Sequence, residues 1–174
     1  MEFSITKSIE ILNNTPKVLF ALAGNVSEEW TSNNEGGETW SVYDVIGHLV
    51  HGEKTDWMTR LELILSQNVT KKFEVFDRFA QFENSKGKKF HQLLEEFRDI
   101  RIANIERLHQ LNIRSEDLIK TGIHPAFGEV SLSQLLSTWA VHDLDHISQI
   151  ARIMAKQYKN EVGPWIEYLK ILRI

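Results

Sequence analysis

The stretch from Ser131 to about Tyr158 constrains this chain more than any other. It reads as one long amphipathic helix, opened by a capping box in which Ser131 and Gln134 serve each other's backbone N–H groups. Its middle runs Trp139-Ala-Val-His142-Asp-Leu-Asp-His146-Ile-Ser-Gln149. With His142 as the zero of a helical wheel, Leu135, Trp139, His146, Gln149 and Ile153 fall near the same angle. Two histidines therefore interrupt the stripe that should face the core. Residues i and i+4 share a helix face with Cβ atoms about 6 Å apart, the right reach for two imidazoles to hold one metal ion. Side by side in a core, two imidazoles are costly without partners, and a metal supplies one. The alternative is a pair of core-edge histidines bonded to Asp143, Asp145 or backbone groups.

The rest of the chain supplies helices for that one to pack on. Residues 4–13 are amphipathic, and Thr15-Pro16 reads as an N-cap followed by proline at the first position of a second helix, 16–23, which stops at Gly24. Residues 24–39 are turn-rich and read as a loop. Ser41 and Asp44 form a capping arrangement for a helix running to about Leu65. Residues 66–86 read as a long ordered connection with room for a short helix; its phenylalanines must pack over the bundle or line a cleft. Lys88 to Leu111 has Phe90, Leu93, Leu94, Phe97, Ile100, Ile105 and Leu108 at helical spacing. A connector over 112–130 and a short C-terminal helix, Trp165 to Leu172, complete the chain. Nothing reads as a strand. The expectation is an all-α four-helix bundle with long connections, and 174 residues suit a single domain over 1–174.

Composition removes whole classes of chemistry. There is no cysteine, hence no disulfide, zinc finger, iron–sulfur cluster or thiol nucleophile, so any metal ligands are nitrogen or oxygen. A net charge of −4, from 20 basic and 24 acidic residues, argues against a broad nucleic-acid surface. No apolar run approaches the roughly 18 residues that span a bilayer. The first ten residues lack the layout of a secretion signal, so a cytoplasmic location is expected.

A third ligand should come from a facing helix. The candidates are His48, His51 and Glu53 in Gly47-His48-Leu49-Val50-His51-Gly52-Glu53, and the wheel does not choose among them. Glu53 falls within an apolar arc, which is unusual for a carboxylate. It is either a proton-handling group or the partner of Arg60, one heptad on. Asp143 and Asp145 either orient an imidazole or are solvated. Gln149 is a supporting or core-edge polar residue. Trp40, Trp57 and Trp139 read as core before substrate platform. His124 reads as fixing a turn, His91 and His109 as surface residues, and Lys86, Lys88 and Lys89 as a solvated helix start.

Several of these pieces, taken in order, resemble the DinB/YfiT-like superfamily of bacterial four-helix bundles. They are Trp40-Ser-Val with Gly47-His48-Leu49 and Glu53, His124-Pro-Ala-Phe-Gly128, Trp139 through Arg152, and Gly163-Pro164-Trp165. The resemblance implies one divalent ion, nickel or zinc, held by His48, His142 and His146. It implies an enzyme that transfers a low-molecular-weight thiol such as bacillithiol to a small electrophilic substrate. A hydrolase using a metal-bound water is the second reading, and a non-catalytic module tied together by metal the third. Three neutral imidazoles suit zinc, nickel, iron or cobalt better than calcium or magnesium. A homodimer fits the bundle type, though no motif specifies one.

Overall fold

The computed structural model describes residues 1–173. Four long helical segments form the bundle: α1 (Ile5–Ala23), the pair α3 (Val42–Thr55) and α4 (Trp57–Leu65), α6 (Phe90–Gln110) and α7 (Leu132–Gln157). Short helices α2 (Glu28–Ser32) and α5 (Ala80–Ser85) decorate it. Helix α1 packs on α6 and α7, and α3 packs on α6 and α7. Both expected capping boxes form, Ser41 with Asp44 and Ser131 with Gln134. No helix among the described residues is long and apolar enough to cross a membrane.

The structure differs from the sequence reading in five places. Helix α1 does not break at Pro16, which lies inside it. Proline leaves the carbonyl four residues back without its N–H donor. Here that carbonyl, on Leu12, accepts a hydrogen bond from Arg101 Nη1 at 2.9 Å. A tertiary donor thus makes good what proline removes. The loop over 24–39 contains the single turn α2. The helix from Ser41 is interrupted at Asp56, where Thr55 Oγ1 bonds back to the His51 carbonyl at 2.8 Å, a contact that bends helices. The C-terminal segment forms two 3₁₀ turns, Gly163–Glu167 and Lys170–Leu172, in place of an α-helix.

The fifth difference is a hairpin where no strand was expected. Strands β1 (Thr121–His124) and β2 (Gly128–Ser131) pair antiparallel, with His124 opposite Gly128. Three residues, Pro125 to Phe127, close the loop, and Gly128, the first residue of β2, adopts φ 73°, a conformation that favours glycine. The 66–86 connection packs on the hairpin: Phe73 donates its N–H to Ile123, and Ile123 donates to Lys71. Phe73 is buried, and Phe76 lies against the ring of His48. The connection both covers the bundle and lines a cleft through Phe73 and Phe76, whereas Phe79 and Phe82 stay largely exposed, against expectation. At Gly47 a Cβ would sit 2.5 Å from Gln81 Oε1 and Ser85 Oγ, so a side chain there would force these two residues of α5 to shift.

The apolar core falls into two clusters along the bundle axis. One holds Leu12, Leu61, Ile105, Leu136 and Trp139, with Trp57 stacked on Trp139. The other holds Leu19, Val45, Leu49, Phe97, Ile150 and Ile153. Between them every long helix brings in a residue that is not a simple hydrophobe: Pro16 on α1, His48 and Glu53 on α3, Arg101 on α6, and His142, Asp143 and His146 on α7. The site is this polar layer.

Candidate metal centre

The layer has two halves, one charged and one of imidazoles. In the charged half, Arg101 is 1% exposed. Its guanidinium grips Asp143 with both terminal nitrogens, at 2.6 and 3.0 Å, and Glu53 at 2.8 Å. The Trp139 indole N–H donates to the same Glu53 oxygen at 2.8 Å, and Asn104 donates to the other at 2.9 Å. Burial works against the Arg101 charge, but Glu53 and Asp143 outweigh it and hold its pKa above the ordinary value. Glu53 therefore does not pair with Arg60, whose ionic partner is Asp56 at 2.6 Å. Asp143 is fully buried on Arg101, whereas Asp145 is exposed.

In the other half, three rings converge from α3 and α7. His142 Nε2 lies 3.3 Å from His48 Nε2 and 3.0 Å from His146 Nε2. Each ring offers one nitrogen to a cluster whose members all lie within 4.8 Å of one another. Metal–nitrogen bonds of about 2.0–2.1 Å in tetrahedral geometry set ligand nitrogens about 3.3 Å apart. The observed spacing fits one small transition ion at the centre. His146 Nδ1 lies 2.7 Å from Gln149 Oε1, which fixes the proton on that nitrogen and leaves Nε2 as a lone pair facing inward. The two other rings have buried Nδ1 atoms with no hydrogen-bond partner among the described residues. The alternative of histidines held by Asp143 or Asp145 is not what forms.

Of the three possible third ligands, the fold brings only His48 to the pair on α7. His51 is buried against Phe76, with Asn84 3.4 Å from its Nδ1. Glu53 faces Arg101. Trp57 and Trp139 are core residues, while half-buried Trp40 packs on the His48 ring at 5.1 Å. His124 does fix a turn, since its Nδ1 accepts the N–H groups of Ala126 and Phe127. His91 and His109 are exposed, as expected. Lys88 is not simply solvated; it joins Lys54 in pairing with Glu96.

Sequence reasoning missed Arg101, Asn104 and Asp56, read Arg60 only as a partner for Glu53, and gave Phe76 no place at the histidines. For Arg101 the signal was present: Leu94, Phe97, Ile105 and Leu108 place it in the middle of the apolar face of α6.

Burial keeps the imidazoles neutral. Desolvation, then the charges of neighbouring His146, His51 and Arg78, pushes His48 down to about 3. Desolvation, then His146, His48 and Arg101, does the same to His142. His146 is lowered by burial as well, with Gln149 and the nearby aspartates acting against the shift. These folded-state values lie below the unfolded value of about 6.5. Between the two, the unfolded chain takes up protons that the folded chain refuses. The stability these histidines contribute is therefore fully present above about pH 6.5 and is lost as the pH drops toward 3, with the raised carboxyl of Asp56 acting the other way. Each pH unit costs up to about 1.4 kcal/mol per histidine. Urea midpoints of chelator-treated protein should drop between pH 7 and pH 5; equal midpoints would refute buried neutral rings.

The chain is thus a mostly helical bundle with one small hairpin and three convergent histidines at its polar waist. Residues 11–150 match the DinB superfamily, and the chain belongs to it. Among solved structures it is similar to YfiT from Bacillus subtilis, described as a probable metal-dependent hydrolase with an unusual four-helix bundle topology. That likeness has a TM-score of 0.75 at 18% sequence identity, over 88% of this chain and 86% of the other. It establishes the shared fold. No curated protein matches the chain.

Proposed function

We propose that this chain, as one domain over 1–174, is a metal-dependent enzyme acting on a small molecule. His48, His142 and His146 hold one divalent transition ion, zinc or nickel. The observation that carries the reading is the convergence of three imidazoles beside a cavity, with His142 Nε2 3.3 Å from that of His48 and 3.0 Å from that of His146, and all three ligand nitrogens within 4.8 Å of one another. Such an ion supplies Lewis acidity, lowering the pKa of a thiol or water that ligates it. The chain contributes the rest. Gln149 orients His146. Glu53, with both oxygens engaged, reads as a positioning residue that ties Arg101 and Trp139 beneath the site. Trp57 and Phe76 exclude water from one side of the cavity.

Among the described residues no fourth His, Asp or Glu joins the three, and the cavity reaches His48 and His142. Both points favour an enzyme over a structural metal. Transfer of a low-molecular-weight thiol to an electrophile is the leading reaction: the family resemblance implies it, and an open imidazole-held ion suits an incoming thiolate, which a chain without cysteine must receive from outside. Hydrolysis is the second reading. Asp56 favours it: burial lifts this cavity carboxyl to about 6 against the pull of Arg60, the range of a general base at neutral pH. The test is metal-loaded protein assayed with several thiols plus an electrophile, beside an ester and amide panel. Elemental analysis of protein purified without a metal-affinity tag should find close to one transition ion per chain. None after zinc or nickel supplementation would remove the proposal.

A further inference from the structure

The histidines do not fill the space beside them. A compartment of about 220 Å³ opens there, walled by His48, His142, Trp57, Asp56, Arg60 and His124. It adjoins a larger groove of about 480 Å³ under the 72–77 segment, and Asp56, Arg60 and Phe76 belong to both. Arg60 thus stands where a molecule reaching the three histidines would pass from groove to compartment.

Two wall residues carry donors that no acceptor among the described residues receives. His124 spends its Nδ1 as an acceptor for Ala126 N–H at 3.1 Å and Phe127 N–H at 3.3 Å. A ring nitrogen that accepts carries no proton, so the neutral ring carries it on Nε2, as a donor. Burial and the charge of Arg60 both act to keep this ring neutral. Arg60 is fixed from two sides, by Asp56 at its Nε and by the Phe73 ring 5.2 Å beneath its central carbon. Asp56 is its only hydrogen-bonding or ionic partner among the described residues, which leaves the paired Nη edge without an acceptor. Asp56 is also the only carboxylate in the compartment wall, and Arg60 already holds it. The wall is therefore rich in donors and poor in acceptors. A planar guanidinium fork matches the oxygens of a carboxylate or phosphate.

We propose that Arg60 and His124 form a seat for an oxyanion, so that the substrate of the three-histidine site carries a carboxylate or phosphate beside its reacting atom. This rests on the metal-dependent reading above. The seat fixes the substrate's orientation, and the groove takes whatever extends beyond it.

Cobalt-loaded protein gives an optical test, because thiols that ligate cobalt change its spectrum. The probes are 3-mercaptopropionate, its neutral amide 3-mercaptopropionamide, and 2-mercaptoethyl phosphate to tell carboxylate from phosphate. The ion itself favours anions, so the comparison that matters is between variants. Wild-type protein should bind at least one anionic thiol about tenfold more tightly than the amide. Arg60→Gln should lose most of that ratio. His124→Asn, which keeps an acceptor for the turn, should lose a few-fold. Affinity for cobalt and for the amide should stay unchanged in both, a pattern that general damage to the fold would not produce. Preference that survives both substitutions, or equal binding of charged and neutral thiols, overturns the seat while leaving the metal centre standing. Failure to load cobalt overturns the metal reading itself, and loaded cobalt that no thiol perturbs overturns the open site and the seat together.

Discussion

Replacing Arg101 by leucine is expected to destabilise the protein by about 3–5 kcal/mol, the cost of breaking a buried ion pair on one side. The side chain is 1% exposed and serves Asp143, Glu53 and the Leu12 carbonyl at once. Leucine would leave two carboxylates in the core with a single indole and a single amide between them. It would also strand the carbonyl that Pro16 has already deprived of its helical donor. For a chain of this length the loss corresponds to a fall in Tm on the order of 10 °C. Urea unfolding measures it directly. Replacing all three charged residues by hydrophobes should recover much of the loss, because the cost lies in orphaned charges more than in the pair itself. A single Arg101→Leu variant within 1 kcal/mol of the parent would show that water reaches this layer and that the network is not what closes the bundle.

The same network explains what the sequence could and could not tell. The bundle was legible because α6 and α7 carry apolar residues at helical spacing and two helices open with capping boxes that form as written. The histidine pair on α7 was legible because i and i+4 share a face wherever the helix packs. Pro16 misled because its consequence depends on Arg101, 85 residues later in the chain and invisible to any local rule. The hairpin was hidden because its strands have four residues each, too short for alternation to show. The choice among His48, His51 and Glu53 lay beyond a wheel. Positions 48 and 51 differ by three residues, and a small rotation of α3 about its axis decides which ring meets α7. Arg101 puts the opposite lesson. A charge in the centre of an apolar face is a signal in its own right, and it marked the charged half of the site as clearly as the histidines marked the other.

That choice on α3 is where the functional proposal is most exposed to experiment. His142→Ala should weaken binding of zinc or nickel by more than about 100-fold, since its Nε2 is the hub within 3.3 Å of both other rings. His48→Ala and His146→Ala should do nearly the same, because each leaves only two imidazoles for an ion that needs three protein ligands to bind firmly in an open site. His51→Ala is the decisive control. It sits three residues from His48 on the same helix and is equally buried at 8%, but its ring turns to Phe76 and Asn84. Its loss should lower stability and leave metal affinity within a few-fold. Gln149→Leu should fall between these, at about 10- to 100-fold, because it releases the ring of His146 without removing it. Competition with a chromophoric chelator gives the affinities, and far-UV circular dichroism confirms that helix content holds across the series. If His51→Ala abolished binding while His48→Ala did not, α3 would be rotated in solution relative to α7, and the ion would sit on the opposite flank of the bundle's waist. If all five variants bound as the parent does, the ion would lie elsewhere, and three neutral rings in a core would need another reason to be there.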